Sequence, residues 1–290
     1  MSPRVFALGS CRIHDPLTAS HKLGEVDYLN RRLKTREPIY LHDVHEMTQF
    51  VRLARREAAM PAGIDVFAYH KGLRFDRRMP GLLSEAEAVV VEICTDKHYE
   101  AAGFALNVNE IHRQLVESTG AAGEAWWTAI DRGVRPADDL VQALEVVLRA
   151  KRKLTETHRM MLRELSFRYL TDLDIADALD VLKALLGRPI LVVPHVAVRL
   201  PNGSMLAERL QHIHKTLEAA RRTGLPVLDP KSFVERDGQR RALDNAGTDF
   251  HHYARDYMVI VGREIVQGLR SLTSASRTLC GPASSSDTFM

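Results

Sequence analysis

Short apolar runs alternate with amphipathic stretches along this chain. The apolar runs predict five buried strands, at residues 5–8, 38–41, 88–93, 189–193 and 226–228. Strands that are covered on both faces read as nearly continuous Val, Ile and Leu, and residues 89–93 and 190–193 have this character. Because stretches of helical periodicity separate the strands, we expect an α/β fold with a parallel sheet between layers of helices.

The amphipathic stretches supply the helices. Residues 206–217 carry Leu and Ile at intervals of three and four, and Gly224 is placed to end that helix before the fifth strand. A similar stripe over residues 257–269 predicts a last helix that begins just after His252. The helix at residues 206–217 would connect the fourth and fifth strands, and the helix at residues 257–269 would follow the fifth strand.

One connection is much longer than an ordinary crossover. Roughly 85 residues, 102–187, separate the third and fourth strands, and Pro136 followed by Asp138 is a typical helix start. We expect a helical insertion there that caps the functional site. Residues 1–272 then form a single domain that includes this insertion, and the Ser-, Thr- and Gly-containing residues 273–290 form a flexible tail.

Composition limits the function. The chain has 290 residues, 45% of them hydrophobic, and a net charge of only +3, which does not favour nucleic acid as a partner. Its three cysteines are far apart, so neither disulfides nor a metal site is expected. No apolar run reaches the ~18 residues of a membrane span, and no signal sequence precedes the first strand. We therefore expect a cytoplasmic protein; the sequence leaves its oligomeric state open.

Candidate chemistry begins directly after the first strand. Gly9, Ser10 and Cys11 form a strand-to-helix turn, which in a parallel sheet lies at the carboxyl edge where such proteins bind their ligands. At the start of a helix, the helix dipole is expected to lower the pKa of Cys11 and favour its thiolate. Ser10 is the rival nucleophile, and a small buried cysteine that only fills space is the structural alternative.

A matching base is found near the other end of the chain. Asp249 precedes His252 by three residues, so one loop can place a carboxylate beside an imidazole and fix its tautomer. His251 is the competing base. The sheet would have to bring this pair to the nucleophile.

These motifs resemble a known superfamily. The Gly-Ser-Cys turn at residues 9–11, the Asp-x-x-His spacing of residues 249–252 and Tyr257 are similar to the SGNH (GDSL-type) hydrolases. The resemblance is strongest to a divergent branch with a GSC-type first motif, which includes proteins of bacterial capsule and polysaccharide biosynthesis. It implies a flavodoxin-like three-layer fold with a five-stranded parallel sheet, and acyl-ester chemistry. By position it puts the nucleophile at Cys11, with His252 as base and Asp249 orienting it.

The superfamily builds its oxyanion hole from the N–H of the nucleophile, a glycine after the second strand and an asparagine after the third. Only the N–H carries over to this sequence. His45 and Thr95 stand after those strands and are the alternative hydrogen-bond donors. Gly9, Arg12 and His195 complete the candidate oxyanion and substrate-binding residues, His195 because it follows the fourth strand to the same edge.

The leading hypothesis is acyl transfer from an ester or thioester, with an acetyl or similar group moved to or from a carbohydrate in polysaccharide or cell-surface biosynthesis. The expected partners are a small acyl donor and a carbohydrate acceptor. No cofactor is required, and coenzyme A or acyl-CoA is the candidate donor. Two alternatives stay open: an SGNH-type esterase or thioesterase, and a non-catalytic ligand-binding protein on the same fold.

Overall fold

The computed structural model describes residues 2–33, 39–69 and 78–279, the last six without their side chains. These residues form seven strands: β1 Arg4–Leu8, β2 Asp27–Tyr28, β3 Ala88–Ile93, β4 Lys97–Ala101, β5 Phe104–Ala105, β6 Ser166–Tyr169 and β7 Ile190–Pro194. The α-helices of the same residues are α1 Cys11–Lys22, α2 Val44–Ala54, α3 Asp65–Ala68, α4 Met79–Glu85, α5 Val108–Ile111, α6 Ala121–Asp131, α7 Asp138–Ala150, α8 Glu156–Glu164, α9 Asp172–Leu186, α10 Ala207–Arg222, α11 Lys231–Asp237, α12 Gln239–Ala242, α13 Asp244–Gly247 and α14 Met258–Leu279. A 3₁₀-helix at Leu29–Arg32 and a π-helical turn at His112–Val116 complete the set.

A parallel four-stranded sheet, in the order β2-β1-β3-β7, forms the centre of the fold. Leu8 of β1 pairs with Val91 of β3, which pairs in turn with Val192 of β7. All residues of β3 are buried, as its continuous apolar sequence predicts. Because the three long strands run in the same direction, their carboxyl ends meet at one edge.

Helices cover both faces of this sheet. Phe6 and Leu8 pack into one core with residues of α2, α9 and α10, whereas Val5 and Ala7 pack into a second core with residues of α1 and α14. The alternation arises because successive side chains of a strand point to opposite faces. The predicted parallel α/β arrangement is therefore confirmed.

The number of strands differs from the prediction. Of the segment expected at residues 38–41, Pro38 lies outside the described residues and Tyr40 forms a single parallel bridge to Gly9. The segment expected at 226–228 likewise reduces to one bridge, between Val227 and Val192. Pro226 has no N–H to donate, which limits the pairing there. The central sheet has four strands, and its edge strand β2 was too short to stand out in the sequence; the five-stranded flavodoxin-like fold is not confirmed.

A second sheet was missed altogether. Strands β5, β4 and β6 form an antiparallel sheet within and just before the segment 102–187, which was expected to be helical. Ala102 and Gly103, both with positive φ, make the tight turn between β4 and β5. The strands are short and rich in charged residues, so the sequence carries little apolar periodicity there. The last helix of this segment, α9, packs against α2 and α10 and belongs to the layer that covers the central sheet.

The helix predicted over residues 206–217 is α10, and Gly224 follows it with a left-handed φ of 65° that favours glycine. The last helix begins at Met258 rather than directly after His252, so His252 lies on a loop. That helix continues to Leu279, past the predicted domain end at residue 272. Residues 280–290 of the expected tail lie outside the described residues.

Candidate active site

A cavity of about 890 Å³ opens at the carboxyl edge of the central sheet. The residues around it come from the ends of β1, β3 and β7, from α10 and from the loop that precedes α14, and also from the start of α2 with the segment before it, from β4 and β6, and from α5. The sequence-predicted residues among them are Ser10, Cys11, Arg12, Thr95, His195, His251 and His252. The fold therefore brings residues 10–12 and residues 251–252 to the same cavity, at the edge of the sheet where parallel α/β proteins bind their ligands.

The turn from β1 into α1 is tightly packed. A Cβ atom on Gly9 would lie 2.7 Å from Cβ of Glu92 and 2.8 Å from Cδ1 of Ile13, so only glycine fits. Ser10 is the N-cap of α1, and its hydroxyl oxygen accepts a hydrogen bond from the Arg12 N–H at 3.3 Å. The same hydroxyl donates to Oε2 of Glu92 at 2.7 Å, and the Ser10 N–H donates to that oxygen at 3.0 Å. Ser10 is thus a buried, fully hydrogen-bonded residue that fixes the turn.

Cys11 is the first residue of α1 and is half-buried on the cavity wall. The expectation of a lowered thiol pKa is wrong. Burial raises the pKa of Cys11, and the nearby Arg12 charge opposes this without reversing it. The thiol is therefore protonated at rest. Among the described residues, none accepts a hydrogen bond from the Cys11 backbone N–H.

Asp249 and His252 form the pair that their spacing predicts. Oδ2 of Asp249 lies 2.9 Å from Nδ1 of His252. The other carboxylate oxygen accepts the backbone N–H groups of His251 at 2.8 Å and His252 at 3.2 Å. The hydrogen bond from the His251 N–H is the largest cause that lowers the pKa of Asp249, and those from His252 add to it. The carboxylate is therefore charged and holds the ring of His252 through Nδ1, while Nε2 has no hydrogen-bond partner among the described residues.

The thiol of Cys11 and the imidazole of His252 line the same cavity. Within the described part of the chain, no hydrogen bond joins the Cys11 thiol to His252, whose side chain is 51% exposed. His251 also lines the cavity, but the carboxylate of Asp249 meets its backbone and not its ring. Of the two histidines, His252 is therefore the one oriented by a carboxylate.

A buried network that sequence reasoning missed lies beneath the turn. Nε of Arg12 lies 2.5 Å from Oε1 of Glu92, and Nη1 of Arg12 donates to Nε2 of His195 at 2.6 Å. Nδ1 of His195 in turn donates to the Val196 carbonyl at 3.1 Å. Burial lowers the pKa of His195 well below its usual value, and the charge of Arg12 lowers it further. The ring is therefore neutral. The single signal in the sequence was a carboxylate inside the otherwise apolar strand β3.

The two alternative oxyanion donors have different positions. Thr95 lines the cavity, although its N–H donates to the His42 carbonyl at 3.3 Å and its hydroxyl oxygen accepts the Lys97 N–H. His45 is not on the cavity wall; its ring packs against His98 with centroids 4.6 Å apart. The first turn of α2 points it toward the second sheet, and His42 occupies the cavity wall in its place.

The described side chains contain no group of three or more His, Cys, Asp or Glu arranged to hold a metal ion. Over the same described ranges, no helix combines the length and apolar character needed to cross a bilayer.

The fold and this cavity define a mixed α/β protein with polar, titratable residues gathered at the edge of a parallel sheet. A family model described as the TviD N-terminal domain matches residues 3–268, and the chain belongs to this family. It is 22% identical over 277 residues to the Vi polysaccharide biosynthesis protein TviD of Salmonella typhi. That match covers 92% of this chain and 32% of the relative, so the chain spans about a third of the length of that protein. A solved crystal structure aligns with 93% of this chain and 97% of its own at 12% identity and a TM-score of 0.38.

Family membership confirms the expected similarity to proteins of capsule and polysaccharide biosynthesis. The wider assignment to the SGNH hydrolases stays a prediction.

Proposed function

We propose that the protein is an acyl-transfer enzyme of polysaccharide or cell-surface biosynthesis. Cys11 is the nucleophile, His252 the general base and Asp249 the residue that orients the base. The observation that carries the proposal is the Asp249–His252 pair, joined at 2.9 Å, whose histidine lines the same cavity as Cys11. The name of the Salmonella typhi relative, a polysaccharide biosynthesis protein, supports the choice of pathway class.

The environment of the turn favours Cys11 over Ser10 as nucleophile. The Ser10 hydroxyl donates to Glu92 and caps α1, and Ser10 is 6% exposed. Using that hydroxyl as a nucleophile would break both interactions. Cys11 follows it at the first position of the helix, where a thiol is half-exposed to the cavity.

The chemistry follows from the raised pKa of Cys11. Since the thiol is protonated, His252 must accept its proton, so the mechanism requires the two side chains to come within hydrogen-bond reach when substrate is bound. The thiolate attacks the carbonyl of an ester or thioester, and the Cys11 N–H at the start of α1 stabilises the oxyanion that forms. The leaving group departs with the proton from His252, and a thioester remains on Cys11.

The second half of the reaction releases the acyl group. A hydroxyl of the acceptor attacks the Cys11 thioester while His252 removes its proton, and the departing thiolate recovers that proton. A cavity of about 890 Å³ has room for a donor and a sugar side by side, and Tyr40, Tyr99 and Tyr169 offer it aromatic surfaces. Both features support a carbohydrate acceptor over water, the acceptor of the esterase alternative.

A non-catalytic binding protein is the second candidate function. The raised pKa of Cys11 favours it, as does the absence, among the described residues, of a hydrogen bond between its thiol and His252. In that case the cavity would bind a saccharide or an acyl donor and leave it unchanged.

An activity assay separates the two. The purified chain would be incubated with acetyl-CoA and a panel of oligosaccharides, and acetylated sugar would be measured by mass spectrometry. Cys11→Ala and His252→Ala should each lower the rate about 100-fold or more. His214→Ala removes an exposed histidine of α10 outside the cavity and should not change it. Full activity in both Cys11→Ala and His252→Ala would disprove the mechanism.

A further inference from the structure

One basic side chain of the cavity forms no ion pair within the part of the chain that the structure describes. Among the described residues, four lysines and arginines line the cavity, and three of them form ion pairs with carboxylates: Arg12 with Glu92, Lys97 with Asp131, and Lys215 with Asp96. The fourth is Arg209, on the first turn of α10. Its hydrogen-bond acceptor in the described structure is the backbone carbonyl of Phe250, 2.6 Å from Nη1, which leaves Nη2 and Nε without an acceptor there.

The surroundings of Arg209 add to the cost of holding a positive charge there without a negative partner. The guanidinium is half-buried, and burial together with the charge of Arg12 lowers its pKa to about 10. Its own charge acts on His195 and His251, where it further disfavours protonation. A positive charge that is removed from water next to other positive groups is costly unless an anion compensates it.

The position of Arg209 is fixed relative to the proposed base. Phe250 directly precedes His251 and His252 on one loop, so the hydrogen bond to its carbonyl holds the guanidinium beside that loop. An anion bound to Nη2 and Nε of Arg209 would therefore lie beside the loop that carries His252, in the cavity that Cys11 also lines.

We propose that Arg209 binds an anionic group of the substrate, a carboxylate or a phosphate. The proposal rests on the acyl-transfer function above and adds that one of the two substrates carries negative charge near the reacting centre. A guanidinium suits both groups because its N–H donors can meet two oxygens at once. The source is either a phosphate-bearing acyl donor or a carboxylate-bearing sugar acceptor.

Binding can be measured without catalysis in the Cys11→Ala protein. Isothermal titration would use two charged probes, coenzyme A and an oligosaccharide of glucuronic acid, and their uncharged counterparts, pantetheine and an oligosaccharide of glucose. Arg209→Gln should weaken the binding of at least one charged probe about 10-fold or more and leave its uncharged counterpart unaffected. Arg209→Lys should recover part of the affinity, since it keeps the charge and loses the paired geometry.

Arg221→Gln is the matched control. Arg221 lies on the same helix, pairs with Glu218 on the surface and carries the same charge, but it is not on the cavity wall. A loss confined to coenzyme A assigns Arg209 to the donor phosphate, and a loss confined to the glucuronide assigns it to the acceptor carboxylate. Equal affinities in Arg209→Gln and Arg221→Gln would overturn the proposal, as would the absence of binding of either charged probe at millimolar concentration. Arg209-dependent binding in a protein that fails the activity assay would instead disprove the acyl-transfer function alone.

Discussion

Nε of Arg12 lies 2.5 Å from Oε1 of Glu92, in a pair whose side chains are only 7% and 1% exposed. Because Arg12 follows Cys11 and Glu92 lies on β3, this contact ties the start of α1 to the centre of the sheet. Glu92 also accepts two hydrogen bonds from Ser10. The pair therefore fixes the geometry of the turn that presents the thiol.

Glu92→Gln should destabilise the protein by about 3–5 kcal/mol, because it leaves Arg12 charged, buried and without its partner. Burial disfavours the carboxylate, but the charge of Arg12 and the hydrogen bonds from Ser10 and Arg12 outweigh it, so the pKa of Glu92 is lowered and the pair is ionised at neutral pH. Urea unfolding measures the effect. Glu87→Gln, which breaks a surface pair with Arg4, is the control and should cost at most about 1 kcal/mol. Equal losses in the two variants would contradict the account of the turn.

Gly9→Ala tests the packing of the same turn. The new methyl group would meet Glu92 and Ile13 at less than van der Waals distance, and we expect a loss of about 1–3 kcal/mol in unfolding free energy. Gly81→Ala is matched to it, because Gly81 lies in α4 with open space around its Cβ position. That variant should be neutral or slightly stabilising. A Gly9→Ala protein as stable as the parent would show that the turn is looser than described.

The fold was predictable where burial imposes a pattern. Strand β3 is covered on both faces and is apolar except for Glu92, and the stripe that starts at Tyr257 continues along α14 with its apolar side chains in the core. Strand β2 has two residues, and strands β4 and β6 are short, with polar and charged residues among the apolar ones and no regular alternation of buried and exposed positions, so none of the three leaves a signal. Such strands depend on partners that are distant in the sequence.

The site was predictable to a similar extent. The spacing of Asp249 and His252 is local, so one loop sufficed to predict their contact. The partnership of Arg12 with Glu92 and His195 joins three distant segments, and no local spacing indicates it. The pKa of Cys11 was predicted in the wrong direction because the helix start was visible in the sequence and the burial of the thiol was not.

The neutral state of His195 should make stability depend on pH. Its pKa is lowered in the folded protein, so below the ordinary histidine pKa of about 6.5 the unfolded chain binds a proton that the folded chain does not. Stability contributed by this residue is complete above that pH and falls as the pH decreases through it. His195→Gln should reduce the slope of unfolding free energy below pH 6.5 by up to about 1.4 kcal/mol per pH unit. Unfolding curves measured across this range with an unchanged slope would argue that His195 is protonated in the fold.

The reactivity of Cys11 should follow its raised pKa. Alkylation by iodoacetamide requires the thiolate, so its rate at Cys11 should keep rising as the pH passes the usual thiol pKa of about 9. Peptide mapping separates the reaction of Cys11 from that of Cys94. Burial raises the pKa of Cys94 further than that of Cys11, so Cys94 should react more slowly. A rate at Cys11 that is already constant at neutral pH would mean that its thiolate is stabilised, contrary to this account.

The central claim is that Cys11 forms a covalent intermediate with the help of His252. Intact-protein and peptide mass spectrometry after a short reaction with p-nitrophenyl acetate, a simple acyl donor, tests it most directly. We predict an acetyl group on Cys11 that forms quickly in the parent, much more slowly in His252→Ala, and not at that position in Cys11→Ala. An acetyl group that forms at Cys11 equally fast with and without His252, or only on other residues, would contradict the claim.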